Sequence, residues 1–69
     1  MISLSIERAD TNSRITREYG DTMRIAERKA VATSKCLIKS NIGCDINVRD
    51  ALGGLRYRVT QSGKIQKTP

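Results

Sequence analysis

The N-terminal segment ISLSIE, residues 2–7, alternates apolar with polar side chains at every second position. This period of two is typical of a strand with one buried face. Asp, Thr, Asn and Ser then gather in RADTNS, a composition that favours a turn. The next segment, RITREYG, fits two structures, because Ile15 and Tyr19 share one side of an extended chain and also one face of a helix. We predict a short second strand here, paired with the first as a hairpin.

A helix is predicted to follow Gly20. Asp21 is expected to cap it by accepting hydrogen bonds from the first turn, and TMRIAERKAVATSKCLIKS then continues without glycine or proline. Small and apolar residues recur at spacings of three and four, which gives a narrow stripe that can sit close to a sheet. The stripe consists of Met23, Ala26, Ala30, Thr33 and Leu37. Asn41 or Gly43 is expected to end the helix in the left-handed conformation.

The second half of the chain returns to the strand pattern. CDINVRD and LRYRVT alternate with ALGG as the turn between them, and QSGK leads into KIQK, where Ile65 is the lone apolar residue. We predict a single α+β domain over residues 1–69, with one helix packed on one face of a small antiparallel sheet in the order β-(β)-α-β-β-(β). Parentheses mark the ambiguous second strand and the short last one. A chain of 69 residues buries only about 60% of the surface that its unfolded form exposes, so its core must be thin.

The same alternation predicts which side chains leave the core. If the helix covers the apolar positions of the two later segments, the residues between them must point to the opposite face of the sheet. The core positions are then Ile46, Val48, Leu55, Tyr57 and Val59. The outward positions are Asn47, Arg49, Arg56 and Arg58.

Charge adds a candidate function to this picture. The chain has 13 Lys and Arg against 7 Asp and Glu, a formal net charge of +6, and the excess lies in the helix and the C-terminal segment. Such a field favours an anionic partner, whether nucleic acid, an acidic protein surface or a membrane. A net charge of this size also serves solubility alone, so a solvated face without a specific partner stays an alternative.

The cations supply the candidate partner-binding residues. We expect a platform made of Arg49, Arg56, Arg58 and Lys64, assisted by the helix residues Arg24, Arg28, Lys35 and Lys39. Such a platform has two uses. It can contact phosphates with little sequence preference, or its arginines can form bidentate pairs with carboxylates of a protein.

The sequence does not indicate catalytic chemistry. The chain has 0 His, so a Ser or Cys nucleophile lacks its usual base. SGKIQKT departs from a phosphate-binding loop because Ile65 stands where the metal-binding hydroxyl belongs. We expect no enzyme, no cofactor and no metal site. We also expect Cys36 and Cys44 to be reduced and buried as small hydrophobes, in a cytoplasmic protein without a signal peptide or membrane span.

The order of elements resembles a known group of proteins. An N-terminal strand, a turn-rich stretch, the helix MRIAERKAVATSKC and the segment DINVRDALGGLRYRVTQSGKI are similar, over residues 2–66, to small phage-encoded anti-CRISPR proteins that act on type I surveillance complexes. The tryptophans of one member of that group are absent here. The matching residues are Ile25, Ala26, Cys36, Gly54, Leu55, Tyr57, Gly63 and Lys64.

The resemblance implies a non-catalytic inhibitor in the host cell cytoplasm. Such a protein binds the Cas protein backbone of the complex and prevents target DNA from being held, and the basic charge of this chain adds non-specific DNA as a further partner. The alternative is a small nucleic-acid-binding or transcription-regulatory protein without sequence specificity. Only one long helix is predicted, which disfavours a helix-turn-helix form of that alternative.

Overall fold

The computed structural model describes residues 1–67 and has one helix and five strands within them. In chain order these are β1 (Ile2–Arg8), β2 (Arg14–Gly20), α1 (Met23–Lys39), β3 (Ile46–Arg49), β4 (Leu55–Val59) and β5 (Ile65–Lys67). The strands form one antiparallel sheet in the order β2-β1-β3-β4-β5, and α1 packs on one face of it. The predicted α+β class and order of elements are confirmed. Residues 68 and 69, which the predicted domain includes, lie outside the described part.

β1 is an inner strand that pairs with β2 on one side and with β3 on the other. Its apolar positions Leu4 and Ile6 are fully buried, as the alternation in ISLSIE predicts. RITREYG forms a strand because it pairs along β1, with Glu18 opposite Leu4 and Arg17 opposite Ser5. This pairing decides the ambiguity of the segment in favour of the hairpin.

The two ends of α1 are fixed by local hydrogen bonds. Thr22, and not Asp21 as the sequence pattern predicted, is the N-cap: its Oγ1 accepts from the Ile25 N–H at 3.3 Å. At the other end the Ser40 N–H donates to the Cys36 carbonyl at 3.0 Å. Asn41 follows with φ 62°, the predicted left-handed residue that ends the helix. No helix within residues 1–67 is long and apolar enough to cross a membrane.

Small residues let α1 approach the sheet closely. Ala26 and Ala30 are fully buried and form one cluster with the apolar side chains of β1, β3 and β4. Gly20 makes the entry to the helix equally tight, since a Cβ atom there would lie 2.5 Å from the Ala26 nitrogen. A side chain at position 20 would therefore push the first turn of α1 off β2.

The two cysteines occupy different environments. Both are free; Cys44 is buried and Cys36 is exposed on α1. The prediction that both are buried is correct for Cys44 and wrong for Cys36, because position 36 lies outside the buried stripe that includes Ala26 and Ala30.

Within residues 1–67, the core contains one polar side-chain atom without a hydrogen-bond partner. Ser34 lies on the buried side of α1 with no exposed surface, and its hydroxyl forms no hydrogen bond to any residue that the structure describes. A buried hydroxyl without a partner loses its hydration and gains nothing in exchange. Ser34 therefore destabilises a core that is already thin.

We expect Ser34→Ala to raise the free energy of unfolding by about 1 kcal/mol, because alanine removes the unpaired hydroxyl and is a better helix former. Urea or thermal unfolding followed by circular dichroism measures this gain. Ala32→Ser, at an exposed position of the same helix, is the matched control for helix propensity and should cost about 0.5 kcal/mol. A Ser34→Ala variant no more stable than the parent would contradict the prediction.

Candidate functional site

The face of the sheet that α1 leaves uncovered carries a set of polar side chains, called here the open face. Residues paired across antiparallel strands project to the same side, so the register defines the set. One row crosses all five strands, a second row of three residues lies beside it on β2, β1 and β3, and one further pair follows on β1 and β2. The open face consists of Ser3, Ser5, Glu7, Arg14, Arg17, Tyr19, Asn47, Arg49, Arg58 and Gln66.

An ion pair holds the middle of the open face. The Arg49 Nε donates to the Glu7 Oε1 at 2.5 Å, and the Arg49 Nη1 donates to the Gly53 carbonyl at 3.1 Å. The Glu7 side chain is only 11% exposed, against 34% for Arg49. Arg49 therefore lies over the carboxylate, neutralises it and is itself fixed in place.

Arg58 is anchored in a similar way on the neighbouring strand. Its Nε donates to the Asn47 Oδ1 at 2.8 Å, and Asn47 is 3% exposed although it lies on the open face. A guanidinium has five N–H donors, and this contact uses one of them. Arg58 thus keeps most of its donors for a ligand while its position is set by a buried amide.

Arg14 and Arg17 complete the positive charge of the open face from β2. Both are exposed, and neither forms an ion pair with another residue in the described part of the chain. Neither arginine was among the predicted binding residues, because the pattern of RITREYG fits a helix as well as the predicted strand. The alternation that puts Arg17 on the same side as Tyr19 was the signal available for Arg17.

Arg56 does not lie beside Arg58 on the open face, which corrects the prediction from strict alternation. The register shifts within β3 and β4, so that Val48 pairs with Tyr57 while Arg49 pairs with Leu55. Arg56 is the extra residue of this bulge, and its Nη2 donates to Glu27 of α1 at 2.9 Å. A bulge interrupts the alternation of side chains.

The same bulge moves Leu55 out of its predicted place. It lies opposite Arg49 and does not belong to the hydrophobic cluster under α1. The other four predicted core positions, two on β3 and two on β4, are confirmed as buried: Ile46, Val48, Tyr57 and Val59.

The remaining predicted binding residues lie elsewhere on the molecule. Lys64 is in the turn between β4 and β5, where its backbone N–H donates to the Thr60 hydroxyl at 3.2 Å. The helix cations are exposed on α1, the layer opposite the open face: Arg24, Arg28, Lys35 and Lys39. The structure therefore divides the predicted platform, and only Arg49 and Arg58 of that set lie on the open face.

Tyr57 connects β4 to α1 behind the bulge. Its hydroxyl donates to the Glu27 carbonyl at 3.2 Å, and the residue is 3% exposed. Burial, together with the Glu27 charge, raises the pKa of Tyr57 to about 12, although Arg56 acts in the opposite direction. Tyr57 is a structural contact between the two layers and lies on the opposite side from the open face.

Among residues 1–67, no group of three or more His, Cys, Asp or Glu side chains is placed to hold a metal ion. No protein-family model matches the sequence, and the comparisons with curated proteins and with solved structures found no match.

We expect Arg49→Ala to lower the free energy of unfolding by about 2 kcal/mol, because it leaves the largely buried Glu7 carboxylate without its partner. Arg17→Ala is the matched control on the same face, since Arg17 is exposed, and should change stability by less than about 0.5 kcal/mol. Chemical unfolding of both variants measures the difference. Equal stabilities would show that the Arg49–Glu7 pair does not hold the sheet.

The raised pKa of Tyr57 predicts a loss of stability in alkali. Its folded pKa of about 12 lies above the ordinary value of 10.0, so the stability that Tyr57 contributes is present below pH 10.0 and is lost as the pH rises toward about 12. Tyr19→Phe leaves Tyr57 as the only tyrosine of the chain, so phenolate absorbance of the folded variant then reports Tyr57 alone. A midpoint near pH 10.0 in that variant would contradict the burial argument.

Proposed function

We propose that this protein is a non-catalytic binding protein whose open face docks on an anionic surface of a nucleoprotein complex. In the form that the resemblance to anti-CRISPR proteins implies, the target is a type I Cas surveillance complex, and docking keeps target DNA from being held. The observation that carries the proposal is the gathering of arginines from three strands on one face, around a single carboxylate that Arg49 already neutralises.

The spacing of these arginines suits an extended anion. Arg14 and Arg58 lie in one row on β2 and β4, which puts their backbones about 14 Å apart at the usual distance between strands. One carboxylate cannot contact both. A phosphate backbone or a row of acidic side chains can, and guanidinium groups bind either of them through paired hydrogen bonds.

The absence of catalysis is supported by the state of the polar groups on the open face. Glu7 is held by Arg49, and the Asn47 side-chain oxygen accepts from Arg58. A general base has to reach a proton of the substrate, but the Glu7 side chain is only 11% exposed beside Arg49, and the amide of Asn47 is not a base. With 0 His in the chain, binding is the function that these side chains support best.

One observation favours a second candidate, a small protein that binds nucleic acid without sequence specificity. Tyr19 is 48% exposed on the open face, two positions after Arg17 on β2 and therefore on the same side of the strand. An exposed aromatic ring beside cations can stack on an unpaired base while the cations contact phosphates. Alternation along the predicted strand puts Tyr19 on the same side as Arg17, but only the pairing with β1 shows that this side is the open face.

The test compares two charge reversals of equal size on opposite layers. Arg14→Glu with Arg17→Glu changes the open face, and Lys29→Glu with Lys35→Glu changes exposed positions of α1. We expect the first pair to weaken binding to purified type I surveillance complexes by about tenfold or more, as loss of charged contacts at an interface does. The second pair should retain nearly full affinity and still block capture of target DNA.

Three results would contradict the proposal. Equal losses in both variants would mean that net charge alone drives binding. Failure of the parent protein to bind any of a panel of type I complexes would exclude the Cas target. Binding to free single-stranded DNA as tight as binding to the complex, and abolished by Tyr19→Ala, would establish the second candidate instead.

A further inference from the structure

The helix covers only part of its side of the sheet. α1 packs mainly on β2 and β1 and has few contacts with β3 and β4. Ile65 and Lys67 of β5 pair with Val59 and Tyr57, so they project to the same side as α1 and lie beyond its edge. A groove of about 340 Å³ results between α1 and the β4–β5 hairpin.

The lining of this groove, called here the helix–β5 groove, is apolar at its centre and cationic at its margins. Val31, Tyr57 and Ile65 supply the apolar part, and Ile65 is 41% exposed. Arg24 and Arg28 lie along the helix margin, and Lys67 lies on the β5 side. A volume of this size is near the lower end of the range of about 300 to 1,000 Å³ for ligand sites.

The single carboxylate in the groove does not cancel this charge. Glu27 accepts from the Arg56 Nη2 at 2.9 Å, and its backbone carbonyl accepts from the Tyr57 hydroxyl. Arg24 and Arg28 form no ion pair with any residue between positions 1 and 67. They are one helical turn apart and therefore project along the same margin.

We propose that the helix–β5 groove binds a short acidic segment of a protein partner. An apolar side chain of that segment packs on Val31 and Ile65, and flanking carboxylates pair with Arg24, Arg28 and Lys67. The apolar floor argues for a peptide over a nucleic acid, because the ring of Tyr57 is buried and leaves no exposed aromatic surface in the groove for a base to stack on. This site is separate from the open face, which lies on the other side of the sheet.

The probe for this proposal is a synthetic peptide in which a Leu-Phe pair is flanked on each side by two acidic residues. One control peptide replaces the acidic residues by lysine, and a second replaces Leu-Phe by Ser-Ser. Titration of the labelled protein, followed by backbone amide shifts in NMR spectra, locates the contact. We expect the acidic peptide to shift amides around Val31, Tyr57 and Ile65, and both control peptides to bind at least about tenfold more weakly.

Variants of the protein separate the two parts of the site. Arg24→Glu with Arg28→Glu should lower affinity for the acidic peptide by about tenfold or more, and Ile65→Ser should lower it without any change in charge. Lys29→Glu with Lys35→Glu is the matched control on the same helix, outside the groove lining, and should retain affinity. Circular dichroism confirms that each variant folds.

The proposal is overturned if the acidic peptide shifts amides elsewhere, or if the control pair loses as much affinity as the groove pair. It is also overturned if a single-stranded oligothymidine occupies the groove more tightly than the peptide does. Because the groove variants leave the open face intact, they should still bind the nucleoprotein target of that face. Failure of one site is therefore distinguishable from failure of the other.

Discussion

The close contact of α1 with β1 and β2 is the constraint on which the rest of the structure depends. The chain has 0 Trp, 0 Phe and 2 Tyr, so bulky aromatic side chains contribute little to the core, and the helix gains its burial by approaching the sheet through Ala26 and Ala30, beside Gly20. Small residues at a packing interface shorten the distance between layers. One consequence is that a single helix buries the inner strands and leaves β5 exposed beyond its edge. The helix–β5 groove therefore results from the position of Ala26 and Ala30, which set where α1 packs on the sheet.

The bulge between β3 and β4 then decides how charge is shared between the two layers. Strict alternation would put Arg56 with Arg58 on the open face. Because Arg56 is the extra residue of the bulge, it lies on the other side and pairs with Glu27. A carboxylate in the groove is thereby neutralised. On the other side of the sheet, Arg49 forms an ion pair with Glu7 and neutralises that carboxylate. On the open face and at the groove the cations outnumber the carboxylate, so an excess of positive charge remains after each ion pair has formed.

The bulge and the register of β2 against β1 are two features that could not be predicted from the sequence. Period-two alternation and the uninterrupted helix segment are strong local signals, so the class, the order of elements and the burial of Ile46 and Val48 followed from them. The bulge depends on pairing between strands, which local patterns do not encode, so Arg56 and Leu55 were placed wrongly. The position of Arg14 and Arg17 on the open face was not predicted for a related reason, since the structure of a short segment with mixed periodicity is decided by its pairing with β1.

The open face combines two kinds of arginine that act differently on binding. Arg49 and Arg58 are held at Nε by Glu7 and Asn47, so little of their rotamer freedom remains to be lost when a ligand arrives. Arg14 and Arg17 at the edge are exposed and free to adjust. Fixed donors at the centre favour ligands whose acceptors match one geometry, while adjustable donors at the edge add attraction for many anions. In the proposed binding role, selectivity of this face for one anionic surface therefore comes from the inner strands, and tolerance of different surfaces from β2.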